Sequence, residues 1–188
     1  MSNQDIQAVF EGKIIRVVQK ITPSGKTFEI ATRPPGTRIL IHDVQKDLIL
    51  LTSEIRLDIG EDLRLPGGKV RDTNQEWDEV KNKADLDDII TQAAAKEVRE
   101  EVGLDVQDLK VFTVSPSGGP TIKWDMYYLV SNSFTDLGHQ ALEDDEKITT
   151  KWYPVTEVIK LCLSGKIQEG RTVAAILQYL YSIGKISL

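Results

Sequence analysis

Three glutamates, Glu97, Glu100 and Glu101, fall within five consecutive positions of the chain. On a helix, residues three and four apart share a face, so Glu97 can meet both of the others. Clustered acids repel, and a solvated acidic face is their ordinary outcome. These, however, end a helix-forming run just before Gly103, where the helix dipole disfavours negative charge. A hard divalent cation turns that penalty into a binding site. Mg²⁺ and Mn²⁺ take carboxylates, water and substrate phosphates, so a phosphate compound is the expected ligand of the metal-loaded chain. Arg56 and Arg64 flank the loop into LeuProGlyGly (65–68), where guanidinium groups either grip a diphosphate bidentately or serve as surface ion-pair residues. The turn-rich SerProSerGlyGlyPro (115–120) offers backbone N–H groups near Ser117 and Gly118 to a phosphate or sugar, although most such loops only turn the chain. Trp124, Tyr127 and Tyr128 could include a base-stacking surface, with strand packing the commoner use of such residues.

Composition narrows the chemistry further. The 188 residues are 40% hydrophobic, enough for one domain with a substantial core, with room for an arm. A net charge of -6 disfavours non-specific binding to nucleic acid or anionic lipid. A single cysteine excludes an intrachain disulfide, and two histidines are too few for a His- or Cys-based metal cage, so any metal must be held by oxygen. Cys162, in LeuCysLeu, reads as core, and His42 and His139 have no partner pattern. The N-terminus lacks a basic region followed by a long apolar run, and no stretch has 18 consecutive apolar residues; a cytoplasmic location is the expectation.

The elements that must position these residues follow from periodicity. Residues 8–57, rich in Val, Ile, Thr and Phe and broken by ProSerGly (23–25) and ArgProProGly (33–36), predict several short strands. Leu86, Ile90, Ala94, Val98 and Val102 repeat every four residues, which predicts a helix over 86–102 with Asp85 or Asp87 at its start and Gly103 as its stop. Strands at 110–114, 126–130 and near 150–153 should follow, then helices over about 157–163 and 171–183. Mixed strands and helices without repeats point to an α/β sandwich.

LeuProGlyGly (65–68) with AlaAlaAlaLysGluValArgGluGluValGlyLeu (93–104) resembles the signature of the Nudix hydrolases, G-x5-E-x7-R-E-U-x-E-E-x-G-U with U aliphatic. The match covers Glu97, Val98, Glu100, Glu101, Gly103 and Leu104. The resemblance implies that Glu97 and Glu101 are the principal metal ligands, Glu100 a third ligand or a bridge through water, Gly68 the opening glycine, and the Gly67 carbonyl a further ligand. Two departures stand out. Lys96 replaces the family arginine, and the first glutamate falls on Asp88, 20 residues after Gly68 where the pattern has six. A charged insert over 69–85, containing Trp77, accounts for the difference; it reads as a surface excursion or extra helical turn, and Trp77 as a packing anchor or a substrate-facing lid residue.

Looser features look like the ADP-ribose pyrophosphatase branch: GluGlyLysIleIleArgVal (11–17), a hairpin ending in Arg56, SerProSerGly after the box, and SerGlyLysIle (164–167) before a last helix. The resemblance implies an α/β/α sandwich with a mixed sheet over 36–188 and an N-terminal β arm over 1–35 that exchanges between the subunits of a homodimer. It implies hydrolysis of a nucleoside diphosphate sugar, ADP-ribose to AMP and ribose 5-phosphate, with Mg²⁺ or Mn²⁺. Other nucleoside diphosphate sugars, dinucleotides, or a catalytically silent ligand sensor are the alternatives. The acidic run GluAspAspGlu (143–146) is ordinarily a solvated loop, but the resemblance implies that a glutamate on the loop before the last strand helps activate water, in keeping with a metal-bound carboxylate being a poor base. Glu143 and Glu146 are the candidates, with Glu100 next; Lys96 should orient a box glutamate.

Overall fold

The structure, a computed structural model, describes residues 6–56, 60–117, 119–143 and 146–187. Its centre is a mixed sheet in the order β12 (Ile148–Pro154), β5 (Leu48–Arg56), β4 (Gly36–Asp43), β10 (Met126–Ser131), β8 (Lys110–Ser115), with β6 (Gly60–Arg64) also paired to β5. β4 and β10 run parallel, Met126 opposite Gly36 through Ser131 opposite Ile41, and the other neighbours are antiparallel. Strands buried on both faces read as continuous apolar runs, as IleLeuIle (39–41) in β4 and LeuIleLeuLeu (48–51) in β5 do.

Alternation along these strands builds two cores. Ile39, Ile41, Leu50 and Leu129 face one side and pack on Ile90, Ala94 and Val98 of α2 (Leu86–Glu97) and its continuation. Leu40, Ile49, Leu51 and Tyr128 face the other and meet α3 (Val155–Leu163) and α4 (Gly170–Ser182) through Val158, Ile176 and Leu180. Cys162 belongs to this second core, its thiol pushed up to about 11 by burial.

The expected helix over 86–102 forms in two pieces. α2 is followed without a break by one wider π turn over Val98–Val102, and Gly103, at φ 72°, ends it. A side chain on Gly103 would strike the His139 carbonyl, so both the left-handed conformation and the close approach require glycine there. Asp85 occupies the position before the helix but makes no capping hydrogen bond.

The insert folds as a helix, α1 (Asn74–Val80), closed by a capping box in which Thr73 and Glu76 bond each other's backbone N–H. Trp77 is partly buried against the α2-side core. β1 (Ile6–Glu11), β2 (Arg16–Ile21) and β3 (Thr27–Thr32) make a separate antiparallel meander, joined at β3 by the two-residue β9 (Ile122–Lys123). α1 ties this meander to the body: Arg16 pairs with Asp78 at 2.7 Å, and the Asn74 amide donates to the Ile14 carbonyl at 2.8 Å.

Candidate active site

The LeuProGlyGly segment lies against β4, which holds three successive carbonyls. The Ile39 and Thr37 N–H groups donate to the carbonyls of Pro66 and Gly68 at 2.9 and 2.8 Å. The carbonyl between them, on Gly67, accepts from Nη1 of Arg38 at 2.8 Å. Both glycines have physical reasons. Gly67 adopts φ 143°, and a Cβ there would run into the Thr37 backbone; at Gly68 the space a Cβ would need is filled by the Glu97 carboxylate.

Facing this turn are the acids of α2 and the π turn. The Gly67 N–H donates to Oε2 of Glu101 at 2.8 Å. Burial pushes the Glu97 carboxyl up to about 7; Lys96 opposes the rise, and the nearby charges of Glu100 and Glu146 add to it. Burial likewise pushes Glu101 up to about 7, against the Gly67 hydrogen bond and Arg38 and with the charges of Glu97 and Glu146. Two carboxylates that resist ionisation side by side have an unmet demand for positive charge.

Glu100 turns aside. Nζ of Lys96 bonds its Oε2 at 2.9 Å, in a pair that is 67% and 36% exposed. Among the described residues no three His, Cys, Asp or Glu side chains converge on a metal-sized point. The oxygen donors at this turn are the Glu97 and Glu101 carboxylates; the Gly67 carbonyl, engaged by Arg38, keeps a second lone pair. All are hard oxygens, and the pair of reluctant carboxylates fits a dication of the Mg²⁺ or Mn²⁺ type. Asp88 is exposed on the first turn of α2, where it brings no carboxylate to this cluster.

The segment before β12 is hung on the end of the π turn. Leu137 N–H donates to the Gly103 carbonyl and Ala141 N–H to that of Glu100, each at 2.9 Å, while the Gln140 amide donates to the Glu101 carbonyl. Helix-end carbonyls that would otherwise lack partners are thereby satisfied. Glu146 is partly buried and raises both Glu97 and Glu101; Glu143 is exposed. The two close a turn, the Glu146 N–H donating to the Glu143 carbonyl and the Glu143 N–H to the Glu146 carboxylate, both at 3.0 Å. Asp144 and Asp145 lie outside the described residues.

Arg56 and Arg64 stand on the β5–β6 hairpin among acids. Nη2 of Arg64 pairs with Asp62 and, at 3.2 Å, with Glu54; Arg56 reaches Glu54 at 3.7 Å and Asp62 at 3.9 Å. Of the two readings open for these arginines, the structure displays the ion pairs. Ser117 lines a cavity of about 340 Å³ with Gly119, Thr121, Ile122, Trp124 and Arg171; Gly118 lies outside the described residues. The Trp124 ring meets the guanidinium groups of both Arg33 and Arg171, whose Cζ atoms sit 4.3 and 4.7 Å from its centroid. Tyr128 is core, its hydroxyl 3.2 Å from Thr172, and Tyr127 packs on the α2 side.

Arg38 and Glu169 were not singled out from the sequence. The signal was there: an arginine inside GlyThrArgIleLeuIleHis, an otherwise buried strand, since charged residues are almost never fully buried unless paired. Its partner, 131 positions away, carries no local mark.

A NUDIX domain model matches residues 32–176. A solved structure titled "Crystal structure of ADP compounds hydrolase" is similar over 99% of this chain and 100% of that one, with a TM-score of 0.66 and 16% identity, a likeness of fold. No curated protein matches the sequence.

Proposed function

Because the chain belongs to the NUDIX domain family, we propose that it hydrolyses the diphosphate bond of a nucleoside diphosphate sugar, ADP-ribose to AMP and ribose 5-phosphate. The observation that carries this reading is the carboxylate pair Glu97 and Glu101, both pushed up to about 7, against the Gly67–Gly68 turn. Glu97, Glu101 and the Gly67 carbonyl would hold Mg²⁺ or Mn²⁺, with Glu100, oriented by Lys96, a third ligand or a bridge through water. Bound there, the dication supplies Lewis-acid neutralisation of diphosphate charge.

The remaining work falls to protein groups. Glu146, two residues before β12 and outside the donor set, takes the proton from the attacking water; Glu143 is the second candidate and Glu100 the third. Lys96 fixes Glu100. Ser117, with Gly118, borders the sugar and phosphate side, and Arg56 and Arg64 meet the diphosphate by exchanging carboxylate partners for phosphate oxygens. The N-terminal arm over residues 1–35, whose described part includes the meander of β1 to β3, serves dimerisation. Its exposed Ile6, Phe10, Ile15 and Phe28 support pairing with a second copy.

The test is a panel of nucleotide sugars and dinucleotides incubated with Mg²⁺ or Mn²⁺, with products identified by mass. AMP and ribose 5-phosphate from ADP-ribose, faster than from other members, is the expected result. Release of a nucleoside monophosphate and a sugar phosphate from another member alone would move the substrate, and no cleavage of any would favour a ligand sensor.

A further inference from the structure

Arg38 reaches the acid cluster without being acid or exposed. Its side chain is 9% exposed, and β4 carries it into the layer beneath the Gly67–Gly68 turn. Burying a guanidinium there is costly unless it is paired, and the pair is made from the far side of the sheet. Nε of Arg38 donates to Oε2 of Glu169 at 3.1 Å, and the Thr172 hydroxyl donates to the same oxygen at 2.7 Å. Thr172 in turn lies 3.2 Å from the Tyr128 hydroxyl. The Glu169 carboxyl is kept below its ordinary value: burial works to raise it, but Arg38, Thr172 and Arg171 together outweigh that. The ion pair is therefore a fixed post whose free Nη1 points at one target, the Gly67 carbonyl.

That carbonyl is the one the backbone of β4 does not hold, because its neighbours at Pro66 and Gly68 take the Ile39 and Thr37 N–H groups. With no Cβ, Gly67 is free to rotate unless something clamps it. Its N–H is also the donor to Glu101.

We propose that Arg38, aligned by Glu169, is a positioning residue that clamps Gly67 so that its N–H orients the Glu101 carboxylate and its carbonyl stays directed at the cation position. This rests on the metal-site reading above. It adds that the precision of that site is set from the opposite core, through a residue that touches neither cation nor substrate. Partners of this kind around metal ligands change affinity by about 10- to 100-fold when removed.

Arg38→Met keeps the length and apolar stem of the side chain but removes the donors; Arg38→Lys restores a charge without the fork; Glu169→Gln keeps shape and removes the counter-charge. Mn²⁺ affinity is measured by calorimetry on each folded variant, and protection of the Gly67 amide by hydrogen exchange in metal-free protein. Arg38→Met is expected to bind Mn²⁺ at least about tenfold more weakly and to lose Gly67 protection, with Arg38→Lys and Glu169→Gln in between. Wild-type affinity and protection in Arg38→Met overturn the proposal. If Arg38→Met fails to fold, the same readings on Glu169→Gln decide, unchanged values overturning it. Wild-type protein that binds Mn²⁺ yet cleaves no nucleotide sugar would overturn the substrate reading alone; wild type that binds no Mn²⁺ would overturn both.

Discussion

A glutamate that must be charged to do its work but is held near 7 by its surroundings exposes its function to pH. For Glu97 and Glu101 the folded value is raised from 4.5, so between about 4.5 and 7 the folded chain keeps protons that the unfolded chain has released. Stability of metal-free protein should fall as pH rises through that window and level off above it. Mg²⁺, which must displace those protons, should raise the melting temperature more near pH 8 than near pH 5. Glu97→Gln and Glu101→Gln should each flatten the slope in differential scanning, abolish hydrolysis and leave the fold intact; near wild-type turnover in both at saturating Mg²⁺ would remove the metal helix from the mechanism. Lys96→Arg should be tolerated or beneficial, since a planar fork fixes Glu100 better than a point charge. The existing pair, with Lys ahead of Glu, is worth only about 0.3 to 0.5 kcal/mol. Its worth is in placement, and a kinetically silent Lys96→Ala would refute that. At this scale the sequence was readable where contacts are local: the spacing of Glu97 and Glu101 on one helix is a matter of counting. The Arg38–Glu169 pair and the contacts of Trp124 with Arg33 and Arg171 were not readable, because each joins residues that only the sheet brings together.

Elements carried by periodicity were legible almost to their ends, and those defined by pairing were not. The four-residue repeat marked 86–102, but nothing in it distinguishes α2 from the π turn that ends it, since α2 buries Ile90 and Ala94 and the π turn buries Val98 and Val102 in the same core. β6, β9 and the short strands β7 (Leu104–Val106) and β11 (Phe134–Asp136) escaped because five residues or fewer show too little alternation. The helix inside the insert was one of two open readings, and ThrAsnGlnGlu (73–76) holds its capping signal. The acidic loop gains most from being seen in place. The charge of Glu146 acts on both partly buried carboxylates, whereas Glu143 is exposed and engaged chiefly through its backbone. Glu146→Gln should therefore lower kcat by about 10² or more at unchanged Mn²⁺ affinity, with Glu143→Gln nearer wild type. Single-turnover rates with calorimetric affinities measure this; two mutants both within about threefold of wild type would pass the base to Glu100 or to water activated without a protein base.

For the molecule as a whole, the meander exposes more apolar surface than its small size would suggest, with Ile6 at 64% and Phe10 at 56%. Three strands with one open edge invite another chain, so sedimentation at micromolar concentration should give a dimer; replacing Phe10 and Ile15 together by Ser should give monomers, and a clean wild-type monomer would count against the arm's role. The sandwich itself was legible because buried strands and amphipathic helices alternate in a recognisable order, whereas the body contacts of the meander, Arg16–Asp78 and Asn74 to Ile14, depend on where the insert folds. The pairing of Arg38 with Glu169 also bears on synthesis. Residues 65–104 leave the ribosome long before residue 169, yet until then Arg38 has no counter-charge. A nascent chain ending short of α4 would hold the carboxylate helix without a rigid Gly67 to set it. Activity should thus appear late and all at once, as the last helix docks, so that unfinished chains carry the signature residues but spare the cell's nucleotides.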